Sequence, residues 1–272
     1  MALGNNGPGW LFCPADRPER FGKAAAAADV VILDLEDGVA AKDREAAREA
    51  LVTTPLDPSK TVVRVNPVGT PDHPLDLEAL KATAYSTVML AKTETVDQVA
   101  SLAPLDVIVL VETPLGALAV ADTARVDNAY AVMWGAEDLF AATGGTANRW
   151  PDGGYRDVAK HVRSQSLLAA KAFGRLALDS VYLDIKDLDG LRAETDDAVA
   201  VGFDAKVAIH PTQVAVIRAG YTPTAEQVDW AARVLDAARA ERGVFQFDGQ
   251  MVDMPVLRRA QRIVALAPAS DG

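Results

Sequence analysis

VVILDLED, residues 30–37, decides how this chain is read, because a run of branched apolar residues stops abruptly in charge at Glu36 and Asp37. Such a run is what a strand buried on both faces looks like. The design recurs in VVRVN, residues 62–66, with Arg64, in IVLVE, 108–112, with Glu112, and in VMWGAED, 132–138, with Asp138. Side chains at the carboxyl ends of parallel strands in an α/β barrel converge on one mouth, so the recurrence predicts a barrel with its reactive groups gathered at one end.

Along the rest of the chain, short β-branched runs bounded by turn or helix signals predict eight strands, near residues 10–14, 30–36, 61–66, 87–91, 106–112, 130–135, 179–184 and 205–210. Mostly helix-length segments separate them, as parallel neighbours require. Helical patterns follow the second strand (KDREAAREAL), the third (LDLEALKATA), the fifth (LGALAVADTA) and the sixth (RDVAKHVRSQSLLAAKAFG, closed by Gly174). TAEQVDWAARVLDAARAERG opens on a capping box, Thr224 with Gln227, and reads as the eighth barrel helix. The barrel then occupies residues 1–242. Residues 243–272 form a C-terminal extension that a closed barrel does not need, expected to cover a barrel mouth, its own or that of a neighbouring subunit.

The composition narrows the class of protein. In 272 residues, half of them hydrophobic, there is ample material for one large core. No apolar run reaches the roughly 20 residues that a membrane-spanning helix needs, and no basic-then-apolar leader opens the chain, so a soluble, cytoplasmic protein is expected. The lone Cys13 is expected as a small strand residue. A net charge of −11 opposes adhesion to nucleic acid, so an anionic ligand must find a local basic pocket. Arg17, Arg20 and Lys23, just after the first strand, offer one, and a phosphate-bearing ligand suits them as well as plain surface solvation does.

Glu112 and Asp138 end consecutive strands and should lie side by side at the mouth. Two nearby carboxylates repel, and a hard divalent cation relieves the repulsion by binding both. Taken singly, each reads as a helix cap or an ion-pair partner; their adjacent strand-end positions favour the metal. Arg64 is expected to hold a substrate carboxylate or carbonyl through two parallel hydrogen bonds, or to pair with Glu36 or Asp37, or both. Lys92 ends the fourth strand, but its acidic surroundings oppose the lowered pKa that a Schiff-base lysine requires, so it is read as a supporting charge. His73, His161 and His210 are too scattered for a metal triad, and no P-loop, dinucleotide fingerprint or nucleophile elbow is present.

Together, LFCPADRPERFGKA, VVILDLEDGVAAKDREAAR, VVRVNPVG, VMLAKTET, VETPLGAL, WGAEDLFAATGG, VYLDIKDLDGL and AKVAIHPTQVAVI resemble the citrate lyase β-subunit-like branch of the HpcH/HpaI aldolase superfamily, over nearly the whole chain from Trp10. The resemblance implies a (β/α)8 barrel, magnesium on Glu112 and Asp138, a substrate-binding Arg64 and lyase chemistry on β-hydroxyacyl thioesters. It also implies a homotrimer in which GQMVDMP reaches over a neighbouring subunit and Asp253 serves as the catalytic base. Coenzyme A phosphates would then lie on Arg17, Arg20 and Lys23, and the amides of Gly135 and Ala136, with Glu36 and Asp37 nearby, would bind the substrate. A true citrate lyase β-subunit, acting on a citryl group held by an acyl carrier, is the alternative inside the family. A barrel glycosidase also offers two strand-end carboxylates, but only 6% of residues are aromatic, too few for sugar-stacking platforms. A non-catalytic binding barrel requires an empty metal pair.

Overall fold

The computed structural model describes Leu3, residues 6–241 and residues 243–267. Eight parallel strands close into a barrel: β1 (Gly9–Pro14), β2 (Val30–Asp34), β3 (Thr61–Val65), β4 (Thr87–Leu90), β5 (Asp106–Val111), β6 (Ala129–Trp134), β7 (Leu176–Asp179) and β8 (Ala205–Ala208). Each pairs with the next, and β8 returns to β1 through Val207 and Trp10. The expected (β/α)8 barrel is therefore the fold. Helices α1 (Phe21–Ala27), α2 (Arg44–Thr53), α3 (Asp72–Lys81), α4 (Val96–Ala100) and α5 (Pro114–Ala124) follow the first five strands in turn. Both α6 (Ala136–Thr143) and α7 (Asp157–Ala172) follow β6, then α8 (Leu188–Val201) follows β7 and α9 (Pro211–Tyr221) follows β8.

Local chemistry sets the helix ends. Thr113 caps α5 by accepting the Gly116 amide at 3.0 Å, with Pro114 at the first helical position, where its missing N–H costs nothing. Thr95 and Gln98 form a reciprocal capping box on α4. Gly174 ends the α7 segment at φ +66°, as the sequence suggested.

Trp10, Val30, Ile32, Val62, Met89, Ile108, Leu110, Ala131, Met133, Leu178, Ala205 and Val207 form one buried cluster inside the barrel. Each fully buried Val, Leu or Ile side chain contributes about 1.5–3 kcal/mol. Because side chains alternate along a strand, two residues beyond Ile32, Val62, Leu110 and Met133 the same inner face is reached again. Asp34, Arg64, Glu112 and Gly135 therefore form the layer above the apolar plug.

Two expectations are corrected. The seventh strand lies at Leu176–Asp179, not at 179–184. Its ladder pairs Leu178 with Ala205 and Asp179 with Lys206, after which the chain leaves the sheet, and Leu183 is exposed. Valine, tyrosine and leucine at 181–183 carry strand propensity, but pairing decides, and they have none. Likewise the helix that completes the barrel order is α9, not the segment opened by the Thr224–Gln227 capping box.

That segment is α10 (Ala225–Ala240), with both hydrogen bonds of its capping box formed. The described chain divides into two compact units, one running to Ile217 and the other beginning at Arg218. In the second, β9 (Phe245–Phe247) and β10 (Gln250–Val252) form an antiparallel hairpin, followed by α11 (Met254–Leu266). Its two-residue turn is Asp248-Gly249, both left-handed at φ +48° and +79°, the Asp-Gly signal of a hairpin turn inside what was expected only as an extension. The unit has its own small core of Ala231, Val234, Val252 and Ala260, with Trp230, Phe245, Phe247 and Ile263 packed against it. Among the described residues no helix is long and apolar enough to cross a membrane.

Candidate active site

The register of β2 on β3 sets Asp34 opposite Arg64. Arg64 donates from Nε to Oδ1 of Asp34 at 2.6 Å and from Nη2 to Oδ2 at 2.5 Å, a bidentate pair buried at the barrel mouth. Its Nη1 stands 3.2 Å from Oε2 of Glu36, and its guanidinium lies 4.7 Å from the centre of the Phe12 ring. Burial alone pulls the guanidinium pKa down, but the charge and hydrogen bonds of Asp34, with Glu36 and Glu112, outweigh it and hold Arg64 above the ordinary arginine range. Of the acidic partners expected for Arg64, Glu36 is there and Asp37 is not. The main partner is Asp34, inside the apolar run of β2, which was not among the expected partners.

Asp37 pairs instead with Lys92, whose Nζ reaches its Oδ2 at 3.0 Å, donates to Oε1 of Glu36 and lies 3.5 Å from Oδ1 of Asp138. Burial lowers the Lys92 pKa, yet the hydrogen bond to Glu36 and the charges of Glu112 and Glu36 carry it above the ordinary lysine range. This agrees with a supporting charge and opposes an amine nucleophile. Lys92 adopts the left-handed conformation at φ +50°, and its amide donates to Oε1 of Glu112 at 2.9 Å. A non-glycine residue there is strained by about 1 kcal/mol, and the strain turns that N–H onto the carboxylate.

Glu112 is 3% exposed. Burial pushes its carboxyl pKa up to about 8, with Arg64 opposing and the charges of Asp138 and Glu36 adding to the rise. Asp138 does not end a strand as expected: β6 stops at Trp134, and Asp138 lies in the first turn of α6, with its side chain 37% exposed. A buried oxygen donor whose anion is opposed by other carboxylates suits a hard divalent cation. Among the described residues no three His, Cys, Asp or Glu side chains are grouped to hold an ion, so such a cation would take its other ligands from water and substrate.

Gly135 corrects a third expectation. Its amide donates to the carbonyl of Val111 at 2.9 Å and continues the β5–β6 ladder, so it has no proton to offer a substrate. What Gly135 supplies is room, since a Cβ there would stand 3.0 Å from both Cβ and Oε2 of Glu112. Ala136 is the first residue of α6, where the helix itself provides its amide no acceptor.

At the carboxyl end of β1, the Arg17 and Arg20 side chains are more than half exposed, and their ion pairs are with their sequence neighbours Asp16 and Glu19, at 3.3 and 3.8 Å. Lys23 is exposed on α1. In the second unit, Asp253 caps α11, accepting from the Val256 amide at 3.3 Å, between an exposed Met251 and Met254. His73 contacts the Asn66 carbonyl at 2.7 Å through Nδ1, and Nδ1 of His210 lies 2.8 Å from Oγ1 of Thr212. Cys13 is buried in β1, and burial lifts its thiol to about 11.

Away from this mouth the barrel carries a buried charge layer missed in the sequence. Lys206 and Asp179 are fully buried and paired at 2.9 Å, and Asp179 also accepts from Trp134 and Arg163, while Lys206 also binds Glu194. These residues sit at the opposite strand parity from the inner cluster, hence between sheet and helices. Beside them opens a cleft of about 580 Å³ lined by Arg149, Tyr155, Arg163, Tyr182 and Glu194, to which Arg64, Glu112 and Asp138 do not contribute.

Residues 9–211 match the family profile described as HpcH/HpaI aldolase/citrate lyase, and residues 157–269 match a profile described as C-C bond lyase of the TIM-barrel fold. The chain is 62% identical over 267 residues to the citrate lyase subunit beta-like protein of Mycobacterium tuberculosis (strain ATCC 25618 / H37Rv), covering 98% of each. It is 33% identical over 291 residues to the mitochondrial citramalyl-CoA lyase of Rattus norvegicus, covering 94% of this chain and 85% of that one. The crystal structure of CitE from Mycobacterium tuberculosis in complex with magnesium, acetoacetate and coenzyme A aligns with a TM-score of 0.94 at 62% identity, over 96% of this chain and 98% of that one.

Proposed function

The chain belongs to the HpcH/HpaI aldolase/citrate lyase family, and from that premise we propose that it is a magnesium-dependent lyase that splits a β-hydroxyacyl-CoA into an acyl-CoA and a keto or oxo acid. The observation that carries the proposal is Glu112, a nearly inaccessible carboxyl raised to about 8 beside Asp138, in the same mouth as Arg64. Such a pair is costly unless a cation holds it. Glu112 and Asp138 would hold magnesium, which when bound supplies Lewis acidity to the substrate's hydroxyl and carboxylate oxygens.

The remaining chemistry falls to the chain's own side chains. A guanidinium has five N–H donors. Asp34 takes two of those on Arg64, which leaves the η-nitrogen protons turned away from Asp34 to grip the oxygen that becomes the product carbonyl. Loss of the hydroxyl proton lets the oxygen pair form that carbonyl while the Cα–Cβ bond breaks, and the released pair forms the thioester enolate, which then takes up a proton. Asp253 is the base that removes the hydroxyl proton, acting from the C-terminal extension of a neighbouring copy in a homotrimer. Arg17, Arg20 and Lys23 hold the coenzyme A phosphates, and the Ala136 amide with Glu36 and Asp37 orients the acid end. A cytoplasmic setting fits a single, buried cysteine.

Incubating the protein and magnesium with malyl-, citramalyl-, citryl- and hydroxymethylglutaryl-CoA, and identifying the acid released, tests the proposal and finds the substrate. Cleavage of one thioester, abolished by chelation, is expected. Cleavage of a carrier-bound citryl group alone would make the chain a citrate lyase β-subunit, and no cleavage of any thioester would overturn the proposal.

A further inference from the structure

The Asp34 carboxylate accepts four N–H groups: Nε and Nη2 of Arg64 at 2.6 and 2.5 Å, the Glu36 amide at 2.9 Å and the Gly38 amide at 2.8 Å. Two come from a neighbouring strand and two from the loop that follows β2. A carboxylate has about four lone-pair sites, so this one is saturated and has nothing left for a substrate or a cation. It is 2% exposed, which denies it to solvent as well.

The same loop carries Glu36 and Asp37. Glu36 faces Nη1 of Arg64 and receives Lys92, which also reaches Asp37 and Asp138. One carboxylate therefore fixes both the plane of the Arg64 guanidinium and the loop whose acids bind Lys92. The loop is built close to it: a Cβ on Gly38 would stand 2.3 Å from Oδ2 of Asp34, so only glycine lets the Gly38 amide in. Asn66 ties the neighbouring loop to the same place, donating from Nδ2 to the Leu35 carbonyl at 2.9 Å.

We infer that Asp34 is a positioning residue for the lyase reaction: it touches no substrate, yet aims the η-nitrogen protons of Arg64 that neither Asp34 nor Glu36 engages at the oxygen on which charge develops, and locks the Glu36–Asp37 loop to that aim. The inference rests on Arg64 being the substrate's arginine, as proposed above. A misaimed donor loses stabilisation made mainly in the transition state, so the effect belongs in kcat more than in KM, whose larger share comes from the coenzyme A part of the substrate.

The test is a double-mutant cycle between Asp34→Asn and Arg64→Lys, read with the CoA thioester found to be cleaved. Asparagine keeps the shape but sets its own amide protons against the incoming donors. Asp34→Asn is expected to lower kcat at least about 30-fold, with KM and magnesium affinity within about threefold of wild type. The double variant is expected to be within about threefold of the worse single variant, because each substitution undoes the same aim. Gly38→Ala disturbs the hub without changing charge and serves as the second arm, with the same coupling to Arg64→Lys expected even where Asp34→Asn does not fold. Losses that multiply in both cycles, or unchanged kcat in Asp34→Asn and Gly38→Ala while Arg64→Lys is impaired, would overturn the inference alone. Wild-type kinetics in Arg64→Lys would overturn the role of Arg64, and this inference with it.

Discussion

Gly135 stands against Glu112 with no room to spare, its missing Cβ marking a point 3.0 Å from Oε2 of that carboxyl, while the Lys92 amide holds the other oxygen at 2.9 Å. Oε1 is thus committed to the backbone, and Oε2 is free to turn to a cation only while position 135 is empty.

Gly135→Ala is expected to weaken magnesium binding at least tenfold, about 1.4 kcal/mol, with little effect on folding. Magnesium titration by calorimetry reads this directly. Unchanged affinity would mean that Glu112 relaxes around the methyl and that the glycine answers to the backbone alone.

If Glu112 holds magnesium, as proposed, its raised pKa is expected to make binding pH-dependent. With the metal-free carboxyl at about 8, the cation must displace about nine-tenths of a proton at pH 7, and its affinity should fall about tenfold per pH unit below 8. Stability of the metal-free fold runs the opposite way. The metal-free fold binds more protons than the unfolded chain between about 4.5 and 8, so it loses stability as pH rises through that window, and the magnesium-induced gain in Tm should grow there. Calorimetry in buffers of different ionisation enthalpy counts the proton. A count near zero at pH 7 would show that Glu112 is already ionised.

Lys92 is expected to act as a charge and not as a nucleophile. Borohydride added with a keto acid should leave the enzyme active and unmodified, and Lys92→Arg should retain far more activity than Lys92→Met, which leaves Glu36 buried with one cation fewer. A reduced adduct on Lys92, seen by mass spectrometry, would reverse the assignment.

Asp253→Asn is expected to keep magnesium and ligand binding but lose turnover by at least about a hundredfold. Asparagine caps a helix as well as aspartate does, so the start of α11 should survive and the loss should report the base. Mixing this variant with Arg64→Ala should restore part of the activity, because hybrid oligomers would contain sites built from two intact halves. Mixed oligomers that stay inactive would confine the extension to its own barrel.

Changing Arg17 and Arg20 together to alanine is expected to raise KM for the CoA thioester about tenfold or more, while leaving KM for a short thioester without phosphates unchanged. Added salt should weaken the wild-type contact in the same way, since both side chains are exposed. Equal effects on the two substrates would reduce the cluster to surface charge.

Strand number, parallel order and the residues that crown the strands were legible in the sequence. A buried parallel strand is mostly apolar, so charge near its carboxyl end points first to the mouth, and this is how Arg64, Glu112 and Asp138 come to be candidates; Asp179 at the end of β7, buried between sheet and helices with Lys206, shows that the same signal has a second meaning. Periodicity of two also fixes which residues share a face. It does not fix partners. Whether Arg64 meets Asp34, Glu36 or Asp37 depends on how two strands 30 residues apart slide in register, and only the closed barrel sets Asp34 opposite Arg64. The same holds for the seventh strand, where Leu176–Asp179 has the ladder and the more strand-like residues after it have none, and for Gly135, whose amide was spent on the ladder while its missing side chain made the room. Side-chain type and spacing are properties of the chain. Pairing, burial and the pKa shifts they cause belong to the space between segments, and that space exists only once the barrel has closed.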